Sequence, residues 1–251
     1  PLPDLIGLVG PGSFLWWRSR CLGRRDVCRA EAPRHGGPLV GRSRLIEALI
    51  WDAGGTLFDT YPAVVAACRS AVASFGATAP SDWLMGLFRQ TTDVALRTVA
   101  AAYEVDLESL TKRFRSAYDA SEAALQPPFP YVREVCAHVV GLGGSNFVVT
   151  HRGRASLDSL LAAHDLSELF RDVVTSDDPY PRKPDPASIR AVLFRYRLDP
   201  RTCMLIGDRD LDLAAGAGAG TLTCFFGREA HTTSADLEVS GLDELLAWLQ
   251  A

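Results

Sequence analysis

A chain of 251 residues with 47% hydrophobic composition can bury a sizeable core, and its length suits one large domain or one domain carrying an insert. Its charge is unevenly placed: residues 1–44 hold eight Arg against Asp4, Asp26 and Glu31, a net of +5, so the remainder carries −9 toward the overall −4. An acidic body argues against nucleic acid as a main partner, and no stretch approaches the roughly 20 apolar residues that span a bilayer, which argues against a membrane.

The first 44 residues show neither helical nor strand periodicity, and their most apolar run, LIGLVGPGSFLWW at 5–17, is broken by Pro11 and three glycines. Residues 1–44 are therefore expected to stay outside the fold, as a disordered extension or a misassigned start, with a targeting segment as the alternative. Cysteines at 21, 28, 68, 136, 203 and 224 form no Cys-x-x-Cys pair. Neither a zinc site nor a disulfide framework is indicated, and a reducing cytoplasm fits best.

From Leu45 onward, short apolar runs alternate with helical patterns. Strands are predicted at 48–52, 146–151, 172–176, 203–208 and 221–226, and helices near 154–164, 186–196, 211–217 and 242–250. This alternation predicts an α/β fold: a Rossmann-like, doubly wound parallel sheet covered on both faces, with function collected at the carboxyl ends of its strands. The spacing breaks once. Residues 62–140 are rich in Ala and helix formers, with helical patterns at 62–75, 82–103 and 107–125, and QPPFP at 126–130 marks the return. The expected organisation is a core of 45–61 and 141–251 interrupted by a helical cap, 62–140, placed to close over the end of the first strand and exclude water.

The predicted strand ends supply Asp52, Thr150, Lys183 shortly after the third strand, and the pair Asp208 and Asp212. Taken singly, a strand-end Asp or Thr reads as a cap or turn former. Lys183 is harder to set aside, because it and Lys112 are the only lysines in a chain that otherwise uses Arg. Brought together, a nucleophilic carboxylate, a hydroxyl, a cation and two further carboxylates suit phosphoryl transfer assisted by a hard divalent ion. GAGAG at 216–220 follows a helix and precedes a strand, the reverse of a nucleotide loop, and reads as a helix end with close packing.

In order along the chain, DAGGTLFD (52–59), VVTHR (148–152), RKPDP (182–186) and GDRDLD (207–212) resemble the four motifs of the haloacid dehalogenase superfamily, and the insert after the first motif is similar to that of its phosphoglycolate-phosphatase-like branch with a helical cap, subfamily IA. The resemblance covers about residues 45–250. It implies an aspartyl-phosphate on Asp52, a phosphoryl group held by Thr150 and Lys183, and Mg²⁺ bound by Asp52, the Gly54 carbonyl and Asp208, with Asp212 orienting metal-bound water. His151 and Arg152 follow Thr150, so their backbone N–H groups could reach phosphate oxygens; His151 is kept as a substrate-binding candidate.

The departure from the family pattern is Gly54. Phosphatases of the family usually carry an Asp there, which protonates the leaving oxygen and later activates water. Gly54 keeps the carbonyl but loses the acid. General acid–base catalysis contributes on the order of 10²–10⁴-fold, so a slow Mg²⁺-dependent phosphatase acting on a small phosphorylated metabolite is expected. The alternative from another class is a non-catalytic protein that keeps the fold to bind a phosphorylated ligand or a partner. A dehalogenase would need a bulky aromatic at 54, and a phosphonatase would need a cap lysine, for which Lys112 is the one candidate. Oligomeric state is not legible.

Overall fold

A computed structural model describes residues 46–251, apart from 122, 229 and 230; the expectation for residues 1–44 lies outside the described residues. One sheet contains β1 (Ala48–Trp51), β2 (Ser145–Val149), β3 (Phe170–Val174), β4 (Cys203–Gly207), β5 (Leu222–Phe226) and β6 (Leu237–Val239), in the spatial order β3-β2-β1-β4-β5-β6, with every neighbouring pair parallel. β1, β4 and β5 are buried along their whole length, which is why they read as continuous apolar runs rather than as an alternation. The five predicted strands are present with ends shifted by up to two residues. β6 was not predicted, because three residues at a sheet edge carry too short a period to read.

Nine α-helices are described among these residues: α1 (Tyr61–Ala73), α2 (Ser81–Gln90), α3 (Thr92–Ala102), α4 (Leu107–Asp119), α5 (Val132–Gly141), α6 (Arg154–Ala163), α7 (Ala187–Tyr196), α8 (Asp210–Ala219) and α9 (Leu242–Gln250). Alternate strand residues point to opposite faces. On one face Leu49, Trp51, Val148 and Ile206 pack with Val135 and Val139 of α5, Leu157 of α6 and Leu245 of α9. On the other, Ile50, Phe147 and Leu205 pack with Ile189 and Val192 of α7 and Ala215 of α8. The indole N–H of Trp51 is buried with the strand and donates to Asn146 Oδ1 at 3.3 Å, while the Asn146 amide donates to the carbonyls of Cys136 and Leu169.

Helices α1 to α4 form the inserted unit around a core of their own, in which Val65, Cys68, Leu84, Val99, Leu110 and the stacked pair Phe88 and Phe114 are buried. The helix expected at 82–103 is two helices. Thr91 is extended, with φ −155° and ψ 155°, and its hydroxyl accepts the Val94 N–H at 3.1 Å, so a hydroxyl cap outcompetes continuation of the helix. Helix α5 falls inside the expected 62–140 insert yet packs against β1, β2 and α9. Ala-rich amphipathic composition does not distinguish a cap helix from one lying on the sheet. No described helix is long and apolar enough to cross a membrane.

What matters for chemistry is the register. Trp51 pairs with Val148 on one side and Ile206 on the other, and the Asp52 N–H donates to the Ile206 carbonyl at 2.9 Å. The first residues beyond β1, β2 and β4 therefore emerge side by side. This is the point where the strand order switches direction, a recurrent place for ligands in open parallel sheets.

Candidate active site

Asp52 leaves β1 into a loop that needs a glycine at Gly55, whose φ is +86° and where a Cβ would lie 2.2 Å from Asp208 Oδ2. Gly54 differs: its φ lies outside the left-handed range, and a Cβ there would meet Thr60 Oγ1 at 3.0 Å. A second close approach sits at the end of β4, where a side chain on Gly207 would fall 2.3 Å from the Asp212 Cβ. Glycine there lets the first turn of α8 lay Asp212 against the sheet edge.

Lys183 Nζ is fully buried and lies 2.5 Å from Asp52 Oδ1 and 2.6 Å from Asp212 Oδ1, while donating to the Val149 carbonyl at 2.9 Å. Asp52 and the Val149 carbonyl accept hydrogen bonds from the ammonium, and Asp212 is its close ion-pair partner. Burial works against the charge on Lys183, but Asp212 and Asp52 together hold its pKa above that of an ordinary lysine. Burial likewise opposes ionisation of Asp52, and Lys183 and Arg209 overcome it and lower its pKa. Breaking such a buried pair from one side is strongly destabilising, about 3–5 kcal/mol.

Asp208 is gripped on both oxygens: the Tyr61 hydroxyl donates to Oδ2 at 2.6 Å, and the Thr56 hydroxyl donates to Oδ1 at 3.3 Å. Burial, with Asp212 and Asp52 adding to it against Arg209, pushes the Asp208 carboxyl up to about 7. Burial also raises the pKa of Asp212. Asp210, the middle acid of GDRDLD, turns away and accepts from the backbone N–H groups of Thr232 and Thr233 at 2.8 and 2.6 Å. Asp52, Asp208 and Asp212 can present oxygens that all lie within 4.8 Å of one another, and both Asp212 oxygens are buried without a hydrogen-bond partner, Oδ1 being in ion-pair contact with Lys183. An all-oxygen set with an unsatisfied carboxylate oxygen fits a hard divalent cation such as Mg²⁺.

Thr150 is buried just past β2, where its hydroxyl accepts the Arg152 N–H at 3.2 Å. His151 Nε2 accepts the backbone N–H of Lys183 at 2.8 Å. Burial, then the positive charge of Lys183, lowers the His151 pKa to about 4, so the ring is neutral near pH 7 and its Nε2 lone pair is engaged. The Arg152 side chain reaches the inserted helices, donating to the Tyr118 hydroxyl at 3.0 Å, to Gln126 Oε1 at 2.8 Å and to Ser156 Oγ at 2.8 Å. Lys112 is exposed on α4.

The structure thus gathers Asp52, Lys183, Asp208 and Asp212 into one cluster and sets Thr150 and His151 on the adjoining loop. It adds residues that pattern reading passed over. Arg209 Nη2 lies 3.5 Å from Asp52 Oδ2, and its Nε lies 3.7 Å from Asp208 Oδ1 and 3.6 Å from Asp212 Oδ2. Its position between two site acids in GDRDLD was the available signal. Tyr61 and Thr56 had no such signal, since neither contact is local in sequence.

The sequence model of haloacid dehalogenase-like hydrolases matches residues 49–226. The chain belongs to this family. Among its relatives are a plasmid-borne phosphoglycolate phosphatase of Cupriavidus necator, 28% identical with 81% of this chain and 90% of the relative covered, and an N-acetylmuramic acid 6-phosphate phosphatase of Pseudomonas aeruginosa, 27% identical with 71% and 80% covered. The fold is similar to the crystal structure of a predicted phosphoglycolate phosphatase from Haemophilus somnus 129pt, with a TM-score of 0.73, 18% identity and coverage of 81% of this chain and 97% of that one. Helices α1 to α4 stand where a helical cap is inserted in this fold, and the chain is similar in that arrangement to the predicted phosphoglycolate phosphatase structure.

Proposed function

We propose that this hydrolase is a Mg²⁺-dependent phosphomonoesterase acting on a small phosphorylated metabolite through an aspartyl-phosphate on Asp52. The observation that carries the reading is the fully buried Lys183 bridge between Asp52 and Asp212 at the sheet's switch point. Lys183 holds Asp52 Oδ1, which leaves Oδ2 as the attacking oxygen. Attack on phosphorus breaks the bond to the leaving oxygen; attack by water on the resulting acyl phosphate then releases phosphate and restores the carboxylate. Lys183 and the Thr150 hydroxyl take the phosphoryl oxygens, and His151 keeps the loop of Lys183 in place through its backbone N–H. Mg²⁺ would be held by Asp52, the Gly54 carbonyl, Asp208 and Asp212, and would supply neutralisation of the phosphoryl charge.

Gly54 leaves no acid for the departing oxygen, and the low pKa of His151, with Nε2 already accepting a hydrogen bond, removes it as the substitute. Phosphates with good leaving groups are therefore the expected substrates. Exposed Lys112 speaks against the buried cap lysine of a phosphonatase. A screen of phosphate esters, with and without Mg²⁺, on wild type and Asp52→Asn tests the reading. Wild type should release phosphate in Mg²⁺ and the variant should release none above background. Turnover by the variant at the parent rate overturns the mechanism, and binding without turnover by wild type favours the phosphate-binding alternative.

A further inference from the structure

Lys183 Nζ lies 2.5 to 2.9 Å from Asp52, Asp212 and the Val149 carbonyl, whereas the second cation in the cluster is held at longer range. Arg209 shares the space of Asp52, Asp208 and Asp212 through contacts of 3.5 to 3.7 Å, and its Nε is buried without a hydrogen-bond partner. Nη2 makes one long hydrogen bond to Asp52 Oδ2 at 3.5 Å and the Nε contacts are longer still, so charge more than hydrogen-bond geometry keeps the guanidinium there. Its side chain is 18% exposed, where those of Lys183 and Asp212 are fully enclosed, so a route outward exists for it and not for them. Buried Asp52 and Asp212 with partly buried Asp208, faced by Lys183 alone, would carry up to two uncompensated negative charges when all three are ionised, a state that buried sites avoid.

We infer that Arg209 is a displaceable internal counter-cation: it neutralises the carboxylate cradle when no divalent ion is present, competes with Mg²⁺ for it, and thereby sets the metal affinity of the site. The inference rests on the reading of that cradle as a Mg²⁺ site. Its geometry also requires that Arg209 leave Asp52 Oδ2 before that oxygen attacks, which makes it a positioning residue whose departure is coupled to loading of the site.

The test is Mg²⁺ binding to the full chain by titration calorimetry, without substrate, together with melting in EDTA and in Mg²⁺. Arg209→Gln should tighten Mg²⁺ binding by roughly tenfold, since relieving a like charge a few ångström from a partly buried site shifts equilibria by about a decade or more. The same variant should melt lower than wild type in EDTA and recover in Mg²⁺. Arg209→Lys keeps the charge and should bind Mg²⁺ within about threefold of wild type. Equal affinity in wild type and Arg209→Gln, or equal tightening by Gln and Lys, overturns the inference and leaves the phosphatase reading intact. If no protein, wild type included, binds Mg²⁺, the cradle reading itself fails and this inference with it. Arg209→Met serves the same test should the glutamine variant not fold; failure of both to fold in Mg²⁺ also overturns it, because a cation that Mg²⁺ replaces cannot be essential to the loaded fold.

Discussion

The floor of the crevice and the seam beneath the cap are both polar, yet they are built to different rules. On the floor, Lys183, Asp52 and Asp212 are almost fully enclosed, and the strand register that positions them is set by backbone pairing. At the seam, Arg152 meets Tyr118 and Gln126, and Tyr61 meets Asp208, through long side chains that cross between α1, α4, the segment after α4 and the core. Enclosed, closely paired charges are expensive to disturb, while side-chain bridges at a partly buried seam each contribute about 1 kcal/mol and can open and close. The difference assigns fixed chemistry to the floor and adjustable access to the seam.

The largest expected effect breaks the floor. Lys183→Met removes the cation between Asp52 and Asp212 and leaves two buried carboxylates facing each other, with Arg209 at 3.5 Å or more as the remaining counter-charge. Turnover should be lost, and stability should fall by about 3–5 kcal/mol, read by denaturant unfolding in EDTA. A variant as stable as wild type would show that the bridge does not hold the floor together.

Next comes the position at which this chain departs from its family. Gly54→Asp meets no backbone obstacle, because φ at 54 is not left-handed, but its Cβ would sit 3.0 Å from Thr60 Oγ1. Thr60 must give by a few tenths of an ångström, so the double variant Gly54→Asp with Thr60→Ser, which removes the branch methyl and eases rotation of the hydroxyl, should outperform the single one. Rates on alkyl phosphates should rise by about tenfold or more, with aryl phosphates little changed, because a supplied proton matters most for a strongly basic leaving oxygen. Equal acceleration of both substrate types would mean that the carboxylate acts on binding rather than on proton transfer.

Much of the floor is legible in the amino-acid sequence. Asp52, Thr150, Lys183, Asp208 and Asp212 follow apolar strands or open helices, and parallel pairing brings strand ends together whatever lies between them. The seam is not legible in the same way. Tyr61 and Asp208 are 147 residues apart, and Arg152 and Tyr118 are 34 apart, on elements whose mutual rotation no local pattern encodes. The break at Thr91 escapes pattern reading for a related reason: a threonine inside an apolar helical period reads as tolerated until its hydroxyl is seen capping Val94. Arg209 lies in plain view between two site acids, but a guanidinium in an acidic segment reads as a solvated side chain unless its exposure is known.

A smaller effect separates floor from seam through pH. In the metal-free protein the Asp208 pKa is raised to about 7, above its value in the unfolded chain, so the folded state binds the extra proton. Its contribution to stability is full below the unfolded carboxylate range and is lost as pH rises through about 7. His151, lowered to about 4, works in the opposite sense below about 6.5, so comparing variants isolates the Asp208 part. Asp208→Asn in EDTA should gain several degrees of melting temperature on wild type at pH 8 and less at pH 5, where about 1 kcal/mol corresponds to roughly 2–4 °C for a domain of this size. A difference that does not change with pH would remove Asp208 as the titrating group.

The smallest expected effect is at the seam, and it decides whether Arg152 serves access or chemistry. The Tyr118 hydroxyl accepts from Arg152 Nη1 at 3.0 Å and donates to Gln126 Oε1 at 3.1 Å, while Arg152 Nη2 keeps its own bond to Gln126 at 2.8 Å. Tyr118→Phe therefore removes both hydrogen bonds of that hydroxyl and leaves the direct Arg152–Gln126 bond, and the stacked ring contact with Phe114 is retained. Stability should fall by about 1 kcal/mol or less. If the bridge holds the cap over the core, the closed state becomes less populated and the apparent affinity for substrate falls by the same fraction. KM should then rise a few-fold with kcat nearly unchanged, because the groups on the floor are untouched. A fall in kcat equal to the fall in kcat/KM would instead place Arg152 in contact with the reacting phosphoryl group, and the division of labour between floor and seam would have to be redrawn at that residue.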